Sequence, residues 1–76
     1  MCVLHERAEN IRLAEMERFA TRMTGLTPEQ RELVEIMSKS VVAKLLHTPS
    51  IQLKKSAGTP QGERIAAALR DLFDIE

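Results

Sequence analysis

Few residues in this sequence are of types that perform chemistry, and their spacing decides what they can do. Cys2 is the single cysteine, His5 and His47 are the only histidines, and Gly25, Gly58 and Gly62 are the only glycines. A thiol becomes a nucleophile when a nearby base or cation stabilises its thiolate. Cys2 stands at the chain start with no such group arranged around it, so no catalytic role is expected of it. A lone cysteine also excludes an intrachain disulfide. A structural metal needs Cys or His ligands at short, fixed spacings, and neither histidine has them. The scattered glycines form neither a dinucleotide fingerprint nor a phosphate loop. The expectation is a chain with no catalytic, cofactor-binding or metal-binding residue of its own, and so not an enzyme in isolation.

His47 and three lysines are the remaining polar candidates. An imidazole at a helix end bonds the last carbonyls and complements the dipole, and that role is preferred for His47 over contact with a substrate or RNA. Lys44, Lys54 and Lys55 make a small basic patch beside the same turn. Single-strand binding sites combine such cations with aromatic platforms. Tyr and Trp are absent, and Phe19 and Phe73 fall at core positions, so the patch reads as solvated surface. Met16, Met23 and Met37 have helical core spacing and read as packing or interface residues.

These residues must be held by helices. Period-two alternation is absent, while helical periodicity recurs between Gly and Pro punctuation. Four helices are expected, at about 4–24, 28–47, 50–57 and 60–73, forming a single all-α domain over residues 1–76. Gly25 sits where a left-handed residue would end the first helix. Thr27, Pro28 and Gln30 form a capping box with proline in the first turn. Pro49 disfavours helical geometry at Thr48 and is expected to end the second helix. Ser50 would then cap a short third helix, and Gly58 would close it. Thr59-Pro60 starts the last helix, where Ile65, Ala68, Leu69, Leu72 and Phe73 share a face.

The second helix carries more apolar residues than one face can hold. Leu33, Val34, Met37, Val41 and Leu45 form a broad stripe, and Ile36, Val42 and Leu46 lie on other sides. Such a helix is buried on more than one side. A chain of 76 residues has little else with which to cover it. A partner chain is the natural stabiliser. Leu33, Met37, Val41 and Leu45, with Leu69, Leu72 and Phe73, are the candidate dimer-interface residues. The expected architecture is a small helical bundle of about four helices completed by homodimerization. Eleven basic and eleven acidic residues cancel, which argues against a dedicated nucleic-acid or membrane-surface protein. The longest apolar run, Ile65 to Leu69, is too short to span a bilayer, and the first residues lack the apolar segment of a signal peptide. A cytoplasmic protein with no membrane contact is expected.

The stretch from Val41 to Lys54 resembles the signature of the glutamyl-tRNA reductase C-terminal domain. That family has a Lys-Leu-Leu-His-x-Pro core followed by a Leu-Lys pair, matched here by Lys44, Leu45, Leu46, His47 and Pro49, then Leu53 and Lys54. Arg7-Ala8-Glu9-Asn10-Ile11-Arg12 is similar to the helix leading into that domain. Gly25-Leu26-Thr27-Pro28-Glu29 is similar to its turn, and Leu69 to Glu76 to its ending. Two positions depart: Ala43 stands where the family often has Asn, and Asp74 where it often has Gly. The resemblance implies a homodimerization domain of an NADPH-dependent enzyme. That enzyme reduces glutamyl-tRNA to glutamate-1-semialdehyde for tetrapyrrole (porphyrin) biosynthesis. It implies that the catalytic cysteine and the NADPH site lie in other domains, and that the parent binds glutamyl-tRNA. A small helical adaptor or RNA-contacting module is the alternative, motivated by Lys44, Lys54 and Lys55 beside His47.

Overall fold

Thr27 opens the longest element. Its hydroxyl accepts from the Gln30 N–H at 3.2 Å while the Gln30 side chain accepts from the Thr27 N–H at 2.9 Å, the reciprocal capping box expected. The computed structural model describes residues 2–75, without the Cys2 side chain, so the expectation for that thiol and the Glu76 end of the family ending lie outside the described residues. The chain order is α1 (Cys2–Arg18), a 3₁₀ turn (Ala20–Met23), α2 (Pro28–Lys55) and α3 (Pro60–Leu72). All regular structure among these residues is helical.

Three boundaries correct the expectations. The first helix leaves the α form at Arg18 and tightens into the 3₁₀ turn. The chain must reverse to lay α2 along α1, and the tighter turn begins that reversal. Arg18 and Arg22 pack over the Phe19 ring there, 4.3 and 5.4 Å from its centroid. Gly25 does not take the left-handed conformation; Gly58 is the glycine that does, with φ 79°.

The larger correction lies at Pro49, which sits inside α2 rather than ending it. There are therefore three helices, not four. A proline in a helix interior removes one backbone hydrogen bond and costs about 3 kcal/mol in isolation. Packing on both sides of it offsets that cost: Leu46 is buried, and Ile51 and Leu53 are half-buried. His47 consequently lies within the helix and not at its end. Ser50 caps nothing, and its Oγ is enclosed without a hydrogen-bond partner.

α1 runs antiparallel along α2, since Arg12 meets Ser38 while Leu4 and Leu53 line one groove. α3 closes the end of this hairpin. Thr59 caps it through the Gly62 N–H at 3.0 Å, and its last residues return to α1, where Arg7 Nε donates to the Phe73 carbonyl at 3.2 Å. Gly62 permits the close seat of α3: a Cβ there would fall 2.8 Å from the Ser56 carbonyl carbon and nearer still to its oxygen. The C-terminus of α3 is a paired-bond cap, with Ile75 N–H donating to the Arg70 carbonyl at 2.9 Å and Asp74 N–H to the Asp71 carbonyl at 3.4 Å. This cap puts Asp74 at φ 55°, a conformation that favours glycine.

Candidate association surface

The inner face of α2 is apolar except at Ser38. Val34, Ser38, Val42, Leu46, Pro49 and Leu53 are buried or half-buried, and only Leu46 among them is fully so. Leu4 is the other buried apolar residue. Beyond Leu46, toward the turn between α1 and α2, lies Arg12, 5% exposed. Its Nε and Nη2 donate to the Glu9 carboxylate at 3.0 and 2.5 Å, and its Nη1 donates to Ser38 Oγ at 3.2 Å. Ser38 Oγ in turn donates to the Glu35 carbonyl at 2.8 Å. This chain of bonds satisfies polar groups that the hairpin encloses. The hydrogen bond from Arg12 holds the Glu9 carboxyl below the usual carboxylate range, and the same bond raises Arg12. Sequence reasoning used Arg12 only as a motif residue; its spacing three after Glu9 was the available clue.

The outer face of α2 carries the surplus. Leu33 is 66% exposed and Leu45 70%, and Met37 and Val41 between them are also exposed. These four recur every fourth residue and so form one slowly winding stripe. Ile36, assigned to another side from sequence, joins its edge and is exposed. Glu35 and Lys39, four residues apart, form a surface pair at 3.7 Å. On α3 the candidates divide. Leu72 points outward at 80% exposure, whereas Leu69 and Phe73 are half-buried, Leu69 in the groove with Leu4 and Leu53. The motif residues divide likewise: Leu46, Pro49 and Leu53 face inward, while Lys44, Leu45, His47 and Lys54 are exposed.

Among the described residues no group of His, Cys, Asp or Glu is placed to hold a metal. No helix of the described residues is long and apolar enough to cross a membrane. What the surface offers is an apolar stripe along a helix, a feature of protein association rather than of covalent chemistry.

An all-helical module with a thin internal core and an uncovered apolar helix face defines the class. Within it, the chain belongs to the family described as "Glutamyl-tRNAGlu reductase, dimerisation domain", which it matches over residues 2–75. It is 42% identical over 76 residues to a glutamyl-tRNA reductase of Chloroflexus aurantiacus and to one of Chloroflexus aggregans. It is 40% identical over 76 residues to one of Salinispora arenicola. Each alignment covers the whole of this chain but only 17–18% of the relative. No solved structure matches the chain.

Proposed function

We propose that this chain pairs with a second copy of itself through the outer face of α2, and so joins two subunits of a glutamyl-tRNA reductase. The observation that carries this is the second apolar face of α2, the stripe of Leu33, Met37, Val41 and Leu45 that the chain's own helices leave exposed. The protomer is also more extended than a compact monomer. Its radius of gyration is 15.6 Å, against about 11 Å for a compact chain of this length. Its accessible surface is 6021 Å², about 1,300 Å² above the roughly 4,700 Å² of a compact monomer of this mass. A standard interface buries about 800 Å² per partner, so the surplus suffices for one. Removal of apolar area from water is the driving term. Leu33, Met37, Val41 and Leu45 form the centre of the contact. Leu72 lies at its margin, and Leu69 and Phe73 seat α3 so that this face is held rigid.

In the parent enzyme the chemistry belongs elsewhere. The resemblance implies an NADPH-dependent reduction of glutamyl-tRNA, supplying glutamate-1-semialdehyde for porphyrin synthesis. The residues of this chain do not fit a nicotinamide dinucleotide. Gly25 and Gly58 lie in different turns, and Gly62, in the first turn of α3, is occupied by its contact with the Ser56 carbonyl. The role left to this chain is geometric, in setting where two catalytic units stand relative to each other.

The test is thermal unfolding at several protein concentrations. A paired fold gives a midpoint that rises with concentration. A midpoint that stays constant across a hundredfold range would remove the proposal.

A further inference from the structure

From Ile36 to Gly62 the chain contains four lysines and His47 but no aspartate or glutamate, although its overall formal charge is zero. Lys39 is paired with Glu35. Lys44, Lys54 and Lys55 are exposed and have no ion-pair partner among the described residues. Lys44 and Lys55 are separated by three helical turns, so they share one side of α2 about 16 Å apart, with His47 one turn beyond Lys44; Lys54 lies about 100° round the helix, in the groove that also holds Glu63, and is not part of this row. The row continues onto α3. Lys55, Gln52, Thr59, Gln61 and Arg64 line one shallow groove between α2 and α3. Ser40, Lys44 and His47 line another on α2. No carboxylate lines either groove.

Unpaired cations along a helix, flanked by amide and hydroxyl donors and free of carboxylates, match the demands of a sugar-phosphate backbone. We propose that this row contacts the phosphate backbone of a folded RNA. The inference rests on the reading that the parent acts on a tRNA-borne glutamyl group, and it assigns part of the hold on that RNA to this domain. Tyr and Trp are absent and both phenylalanines are half-buried, so bases find no exposed stacking platform. Recognition is therefore of backbone and shape, as in contacts to helical RNA. An anionic membrane would also attract the lysines. It would need apolar residues to insert beside them; from Leu46 to Lys55 this side of the helix offers only the half-buried Ile51, and the exposed Met37 and Val41 near Lys44 belong to the stripe assigned to pairing.

The experiment measures binding of the 76-residue chain to unmodified tRNA by fluorescence anisotropy between 50 and 200 mM salt. The wild type is compared with the double variant Lys44→Gln, Lys55→Gln. Three cations, counting Arg64, give a logarithmic salt slope of about −3 and about a 40-fold loss of affinity across that range. The variant is expected to keep its helices by circular dichroism and its dimer by light scattering. It should lose at least about tenfold in affinity at 50 mM salt, with the slope falling to about −1. Equal binding by variant and wild type overturns the proposal, as does absence of wild-type binding at 50 mM salt. Tighter binding to vesicles containing phosphatidylserine than to tRNA also overturns it and assigns the row to a membrane. A dimer that ignores tRNA leaves the pairing reading standing, whereas lysine-dependent tRNA binding by a monomer removes the pairing reading and leaves this one.

Discussion

Gly62→Ala tests whether α3 is seated as closely as the structure shows. In an unconstrained helix the change would stabilise by about 1 kcal/mol, because Ala is the better helix former. Here the added Cβ would lie 2.8 Å from the Ser56 carbonyl carbon and nearer still to its oxygen. Both are backbone atoms of the turn that Thr59 and Ser56 hold, so no flexible side chain can yield. The first turn of α3 must withdraw, which strains its packing on Leu53 and loosens the bond from Gly62 N–H to Thr59 Oγ1. Overpacking costs about 1–3 kcal/mol and a weakened cap about 1 kcal/mol. Set against the propensity gain, the net loss is about 1–3 kcal/mol, or roughly 5–20 °C in the melting midpoint of so small a domain. The assay is circular dichroism melting at one fixed protein concentration, since the midpoint of a dimer depends on it. Gly25→Ala is the control: a Cβ there meets nothing within 4 Å, and that glycine is not left-handed. It should leave the midpoint unchanged or slightly raised. A Gly62→Ala protein that melts with or above the wild type would refute the close seat of α3.

Further outcomes follow from the same geometry. Asp74→Gly should stabilise by about 0.5–1 kcal/mol, because Asp74 bears a left-handed backbone at φ 55° that costs an L-residue energy and glycine little; a lowered midpoint would contradict the cap described. Leu45→Ala should weaken pairing. Burying a leucine is worth about 1.5–3 kcal/mol, and a symmetric interface uses the residue twice, so the dimer dissociation constant should rise by about 100-fold or more in sedimentation equilibrium. Acid should unfold the chain in part through Glu9. Its carboxyl in the folded state lies below the ordinary 4.5, so its contribution is complete above that pH and is lost as pH falls through the folded value. Glu9→Gln should therefore flatten the acid limb of a pH–stability profile, and an unchanged limb would show that the Arg12 pairing contributes nothing.

Local chemistry was legible in the sequence and long-range packing was not. The Thr27–Gln30 box and the Thr59 cap involve residues three apart, and both formed as read. The left-handed glycine was expected at Gly25 and stands instead at Gly58, after α2. Pro49 misled because its rule is a property of the isolated backbone, while Leu46 and Leu53, on neighbouring turns of the same helix, bind α2 to its neighbours on both sides of the break. The interior of the hairpin was misjudged for a related reason. Ser38 and Arg12 look like surface residues one at a time, yet each satisfies the other when α1 and α2 pair. The stripe of Leu33, Met37, Val41 and Leu45 was visible by spacing alone. Sequence could not tell that it points away from the chain's own helices, because an intrachain face and an interchain face obey the same periodicity. Nor did the balanced net charge reveal that one stretch of α2 is free of carboxylates, since a sum over the chain hides where each sign is placed.

The most direct measurement of the central claim is the molar mass of this chain in solution, by light scattering at tens of micromolar. Pairing through the outer face of α2 requires twice the chain mass of 8.6 kDa, returning toward the single-chain mass when Leu33 and Leu45 are both replaced by aspartate. A wild-type chain that is helical and scatters as a single copy at that concentration would contradict the account.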